Sequence, residues 1–234
     1  MLVIKTGTTL PELRPRRGDY EDWIVERLGL PWERIERVVV YEGETLPEPS
    51  EPAGVVVTGS SALVSAREPW SERTAAWLRE AVATGTPLLG ICYGHQLLAH
   101  ALGGRVGRNP RGREIGTVAL ELHAAAREDP LLSGLPAQMK VQATHVESVL
   151  ELPPGARLLA SSATDPHQAF ACGERAWGVQ FHPEFDAEAV RTYLEVRREE
   201  IRGEGIDPES LLRAVEESPH GTRLLRRFAD LLHD

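Results

Sequence analysis

Two short stretches hold residue types that can do covalent chemistry together, Gly90-Ile91-Cys92-Tyr93-Gly94-His95-Gln96 and Trp177-Gly178-Val179-Gln180-Phe181-His182-Pro183-Glu184. In the first, an apolar run from Pro87 reaches a cysteine, and a helical pattern leaves it. Gly90-x-Cys92-x-Gly94 is the cysteine counterpart of the G-x-S-x-G elbow, a tight strand-to-helix turn that lifts a nucleophile above the sheet edge. Side chains two before and two after the nucleophile would collide in such a turn, and glycine has none. The helix N-terminus below favours a thiolate. A thiolate nucleophile also needs a base for its proton and a group that orients the base. Of the eight histidines, His95 and His100 follow Cys92 on the same helix, and the ring of His95 would point along the helix, so it reads as structural. His182 ends an alternating strand. Pro183 stops the ladder there, and a turn can fold the Glu184 carboxylate back to the imidazole, fixing its tautomer and stabilising its charged form.

The elements that must position these residues alternate along the first half of the chain. Leu2–Ile4, Arg37–Tyr41, Ala53–Thr58 and the run into Cys92 read as strands. Asp19 caps a helix to about Leu28, Ser71 caps one to about Ala83, and Leu97, Leu98, Ala101 and Leu102 give the core face of a helix after the elbow. Thr6–Gly18 and Pro47–Pro52 read as loops, and the strand from Ala53 ends at Gly59-Ser60-Ser61. Strand–helix alternation of this kind implies a parallel sheet with helices on both faces. The middle changes character. Thr117–Leu122, Lys140–Ala143, Arg157–Ala160, His167–Cys172 and Ala176–Phe181 are short strands at turn-separated spacing, which suggests antiparallel hairpins. Beyond Glu184 helices are expected near Ala187–Ile201, Pro208–Glu216 and Thr222–Leu232. The fold class expected is therefore α/β, three-layered, with a mostly parallel central sheet, a small antiparallel β portion and a helical C-terminal extension. With no repeat and no linker, residues 1–234 read as a single domain.

Composition narrows the function classes. A length of 234 residues with 41% hydrophobic and 26% charged residues is ordinary for a globular protein. A net charge of −9 argues against a general nucleic-acid or anionic-membrane binder. No apolar run approaches the roughly 20 residues of a membrane span, and the N-terminus lacks the apolar region of a signal peptide, so the expected location is the cytoplasm. Two cysteines are too few for a disulfide scaffold, and Cys172 reads as a small buried strand residue. No Cys/His cluster has zinc spacing, so neither metal nor cofactor is expected. Arg105–Arg113, Arg14–Arg17, Arg197-Arg198 and Arg226-Arg227 read as solvated basic segments, and the tryptophans as core.

The two motifs, in this order and about ninety residues apart, resemble the two signatures of class I glutamine amidotransferases, nearest to the glutaminase domain of GMP synthase and its stand-alone relatives. The likeness covers about Val38 to Phe185. It implies a triad of Cys92, His182 and Glu184 that hydrolyses the side-chain amide of glutamine through a γ-glutamyl thioester. It implies oxyanion donors from the backbone of Tyr93 and of the Gly59-Ser60 loop. Ser60 stands where relatives carry glycine, so donation requires that a serine tolerate the loop's dihedrals. It further implies that Gln96, Thr144 and His145 hold the substrate, although Val146 and Glu147 replace the Gly and Asp of the related loop. The chain has no P-loop for ATP, so amination of an acceptor would fall to a separate synthase. The expected partners are thus glutamine or another γ-glutamyl substrate and that synthase, with a homodimer left open. Two alternatives remain beside the ammonia-supplying glutaminase: a stand-alone γ-glutamyl peptidase, and a non-catalytic regulatory protein on the same fold.

Overall fold

The apolar segments that carry no polar alternation lie at the centre of the sheet. In this computed structural model, which describes residues 1–232, β1 (Leu2–Lys5), β3 (Val55–Val57) and β4 (Leu88–Ile91) are buried on both faces. β2 (Glu36–Val39) forms the edge and exposes Glu36 and Arg37. β11 (Ala176–Val179) joins β4 in parallel, so the order β2-β1-β3-β4-β11 is a parallel block. The same sheet continues antiparallel through β10 (Ala169–Cys172), β9 (Arg157–Ser162), β6 (Glu114–Leu122) and β7 (Gln138–His145). A separate antiparallel pair joins β5 (Arg105–Arg108) to β8 (Glu147–Glu151).

Successive strand residues point to opposite faces, and each face has its own helical layer. Val56 and Leu89 pack with α2 (Tyr20–Leu28) and α8 (Pro219–Asp230), while Val55, Val57 and Leu88 pack with α3 (Pro69–Ala83) and α4 (Tyr93–Ala101). Trp23 and Ile24 of α2 and Leu224, Leu225 and Phe228 of α8 are buried together against Trp177. The remaining helices are α1 (Arg14–Arg17), α5 (Ala187–Val196), α6 (Arg198–Gly203) and α7 (Pro208–Ala214). Asp19 opens α2 in a reciprocal capping box with Asp22. Among the described residues no helix is long and apolar enough to cross a membrane.

Several local expectations need correction. The loop expected over Thr6–Gly18 contains α1, with Pro15 in its first turn where a proline is tolerated. α3 starts at Pro69 rather than after Ser71, which is instead buried with its hydroxyl 2.6 Å from that of Tyr93. The strand Glu147–Glu151 lies outside the expected elements, because its apolar residues find their partner only across the fold in β5. The helix expected over Ala187–Ile201 breaks at Arg197, which falls between α5 and α6. Trp32 is 43% exposed and not core. The basic segments are not uniformly solvated either. The Arg113 side chain is only 4% exposed, held by Glu200 and Glu204, and Arg17 pairs with Asp186.

Candidate active site

Register decides where the two motifs meet. Gly90 lies opposite Gly178 and Ile91 opposite Val179 in the parallel β4–β11 pair. Cys92, one residue beyond β4, and His182, three beyond β11, therefore leave the same carboxyl edge of the sheet. Gly59 and Ser60 leave it from β3, the neighbour of β4 on the other side. Ligand sites in open α/β sheets lie outside this edge.

Cys92 itself has φ 51° and ψ −100°, a region that L-residues rarely enter. Its N–H donates to Val179 O (2.8 Å) and its C=O accepts from Gln96 N (3.1 Å), so strand and helix pin it from both sides. A Cβ at Gly90 would overlap the backbone of Gly94, and a Cβ at Gly94 the backbone of Val57. The glycine spacing seen in the sequence is thus a backbone-contact requirement. The α4 helix begins at Tyr93, so the N–H groups of its first turn lack acceptors within the helix.

His182 is buried. Its Nδ1 lies 2.8 Å from Glu184 Oε1, so Nδ1–H donates to the carboxylate and Nε2 remains for the thiol. The ring packs on Phe185 at 4.1 Å and on Tyr20 at 6.0 Å between centroids. Burial alone would lower its pKa. The opposing charges of Glu184 and Cys92, with the hydrogen bond to Glu184, outweigh burial and push it up to about 10. Gly59 fills the remaining side, since a Cβ there would come within 2.9 Å of His182 Cε1 and 3.8 Å of Cys92 Cβ.

The Gly59-Ser60 loop is anchored by Thr6. Its hydroxyl lies 2.9 Å from Thr58 O and 3.0 Å from Gly59 O, and its N–H donates to Thr58 Oγ1. A trans peptide sets C=O and N–H antiparallel, so holding the Gly59 carbonyl toward Thr6 turns the Ser60 N–H the other way. Ser60 is not among the residues with positive φ, and serine occupies the glycine position without that strain. Its hydroxyl accepts from Ala62 N at 3.1 Å, and Gly7 packs directly on its backbone, where a Cβ would not fit.

Two cavities meet at Cys92. The first, of ≈ 250 Å³, is walled by Gln96, Thr144, His145 and Glu147 together with Arg113 and Glu200. The second, of ≈ 220 Å³, has His182 and Tyr193 in its wall. The structure brings Cys92, His182, Glu184, Tyr93, Gly59 and Ser60 together. It also places Gln96, Thr144 and His145 around the first cavity, but with their polar groups partly committed. The Gln96 amide nitrogen donates to Glu147 O (2.8 Å) and Gln180 Oε1 (2.9 Å), which leaves its oxygen for a ligand. Both ring nitrogens of His145 are taken, by Glu147 O and by Glu114 Oε2, so its contribution to the cavity is its backbone and ring edge. Thr144 O lies 3.9 Å from the Cys92 sulfur. His95 is buried against Phe170 and pushed down to about 4, chiefly by burial, in keeping with its structural reading. Burial likewise pushes the Cys172 thiol up to about 11. Sequence reasoning missed Arg113, Arg197 and Glu200, because nothing in a lone charged residue marks the cavity it faces.

The family model for class I glutamine amidotransferases matches residues 31–196. A GMP synthase (glutamine-hydrolysing) of Thermomicrobium roseum is 43% identical over 133 residues, 57% of this chain and 23% of that protein. A glutamine-hydrolysing GMP synthase subunit of Pyrococcus abyssi is 44% identical over 99 residues, 42% of this chain and 50% of that one. The matched region thus spans between about a quarter and half of these relatives. A glutamine amidotransferase structure from Thermotoga maritima superposes with TM-score 0.77 at 25% identity, over 99% of this chain and 97% of that one.

Proposed function

The chain belongs to the class I glutamine amidotransferases, and on that premise we propose that it hydrolyses the side-chain amide of glutamine and hands the ammonia to a separate synthase. Cys92 is the nucleophile, His182 the proton carrier and Glu184 the group that holds the imidazole. The observation that carries this reading is the position of His182, bonded through Nδ1 to Glu184 and lining one cavity with Cys92. The Sγ–C bond forms as Cys92 attacks the amide carbon. The oxyanion meets the N–H of Tyr93 and an N–H of the Gly59-Ser60 loop. His182 Nε2 passes its proton to nitrogen, the C–N bond breaks and ammonia leaves. Water then attacks the thioester, releasing glutamate and the thiol. The first cavity carries both signs of charge, which suits the α-amino and α-carboxylate groups of the substrate.

A separate synthase as recipient is supported by the Pyrococcus relative, which is named as one subunit of its enzyme. The shared core of sheet, α2 and α8 supports reading residues 1–232 as one amidotransferase domain. The test is hydrolysis of glutamine, alone and with a candidate synthase, together with labelling by the glutamine-mimicking electrophile 6-diazo-5-oxo-norleucine. Mass spectrometry should find the adduct on Cys92, and Cys92→Ala should lose both adduct and turnover. An adduct elsewhere, or turnover surviving Cys92→Ala, overturns the assignment.

A further inference from the structure

The two cavities that meet at Cys92 differ in charge. Arg113, Arg197, Glu147 and Glu200 line the first, whereas the second has Arg14 and Arg197 in its wall and, among the described residues, no carboxylate. His182 lines the second and not the first. In amide hydrolysis the departing nitrogen takes its proton from the catalytic base, so the leaving group must sit on the His182 side. A small hydride such as ammonia or water occupies about 30 Å³. The second cavity, at ≈ 220 Å³, is several times larger than glutamine's own leaving group requires.

Resting on the triad reading above, we infer that this second cavity is a leaving-group subsite for an amine that bears a carboxylate. The chain then also cleaves γ-glutamyl amides of amino acids, with Arg14 and Arg197 receiving the carboxylate. Arg197 gives Nη1 to Glu200 (3.2 Å) and lies over the Tyr193 ring at 5.9 Å, and among the described residues its guanidinium makes no other hydrogen bond. Arg14 approaches Asp19 through Nε (3.3 Å), but Asp19 is also shared with Lys5 (2.9 Å) and the N–H groups of Thr9 and Tyr20. The hydroxyls of Tyr193, Tyr20 and Thr9 bond to one another at 2.7 and 2.9 Å and give the cavity a polar wall without charge. Both arginines lie outside residues 31–196, the part that matches the family. The positive charge of this cavity therefore comes from segments that the family model does not cover, although Cys92, His182 and Tyr193 in the same wall lie within it.

The reaction needs no reactant beyond water. Cys92 Sγ bonds to the γ-carbonyl carbon, the C–N bond breaks, and the nitrogen takes the proton from His182 Nε2. The free amino acid departs through the second cavity. One water then converts the thioester to glutamate and restores the thiol.

The test compares γ-glutamylglycine with γ-glutamylmethylamide, which lacks the carboxylate, and with glutamine. A charge-assisted hydrogen bond should favour γ-glutamylglycine over the methylamide by about tenfold in kcat/KM. Arg14→Gln should cut that ratio several-fold, Arg14→Lys should keep part of it, and added salt should weaken it. Equal rates for the two amides, or a ratio unmoved in both Arg14→Gln and Arg197→Gln, overturn the subsite. So does hydrolysis of glutamine alone, which makes the cavity an ammonia exit. Labelling of Cys92 by 6-diazo-5-oxo-norleucine separates the two levels. A labelled Cys92 without γ-glutamylglycine turnover sinks only the subsite, whereas absence of label and of all turnover sinks the triad with it.

Discussion

His182 concentrates the physical chemistry of this protein in one side chain. Burial opposes its charge, yet the adjacent Glu184 and Cys92 reverse the balance and raise its pKa to about 10. Glu184→Gln removes one of the two opposing charges and leaves the tautomer unfixed. Turnover should fall by roughly 10²–10⁴-fold, and the alkaline limb of the pH–rate profile should move to lower pH. Stability should respond with a defined sign. A group whose folded pKa exceeds its unfolded value of about 6.5 stabilises the fold fully below that pH, and the contribution fades as pH rises through the folded value. The stability gap between the parent chain and Glu184→Gln should therefore be wider at about pH 6 than at about pH 9. Urea midpoints at the two pH values check this, and a gap that widens with pH contradicts the assigned shift.

The β4–α4 elbow is strained where it is useful. Cys92 sits at φ 51°, and a non-glycine residue in such a conformation costs of order 1–3 kcal/mol. Replacing the thiol by Ala keeps that cost, whereas Gly removes it. Cys92→Gly should be more stable than Cys92→Ala by about 1 kcal/mol, after allowing for the greater freedom of glycine in the unfolded chain. Both variants should be inactive. Chemical denaturation of the pair isolates the backbone contribution, and a Gly variant less stable than Ala refutes stored strain at this position. The sequence made the elbow legible because its two glycines answer to backbone neighbours, Gly94 and Val57, within and beside the motif.

At the scale of the molecule, the helices after Glu184 close the core face that carries the His182 strand. Phe228 of α8 is fully buried and meets Trp177 of β11 edge-on, with centroids 6.3 Å apart. Trp177 donates in turn to both Asp129 oxygens at 3.1 Å. Phe228→Ala should lower unfolding free energy by about 3–5 kcal/mol, as for large-to-small changes in a packed core. Because β11 leads into His182, turnover should become heat-sensitive before the chain unfolds. Thermal activity loss measured alongside circular dichroism decides whether packing and site are coupled in this way. The two arginines of the second cavity come from opposite ends of the chain, Arg14 from α1 and Arg197 from the α5–α6 break. This explains why both looked like solvated charge in a linear reading.

Features that depend on local geometry are legible in the linear chain. The glycines around Cys92, the Pro183 stop, the His182–Glu184 spacing and the apolar periodicity of the central strands each act over a few residues, and together they resemble one family. Features that depend on long-range pairing emerge only in the folded chain. The parallel register of Ile91 against Val179 brings thiol and imidazole to one edge. The Thr6 anchor orients the Ser60 loop across 52 residues of chain, and the break at Arg197 turns a basic helix face into the wall of two cavities. Register and cavity walls are set by contacts between segments far apart in sequence, and a charged side chain carries no local mark of the contact it will make.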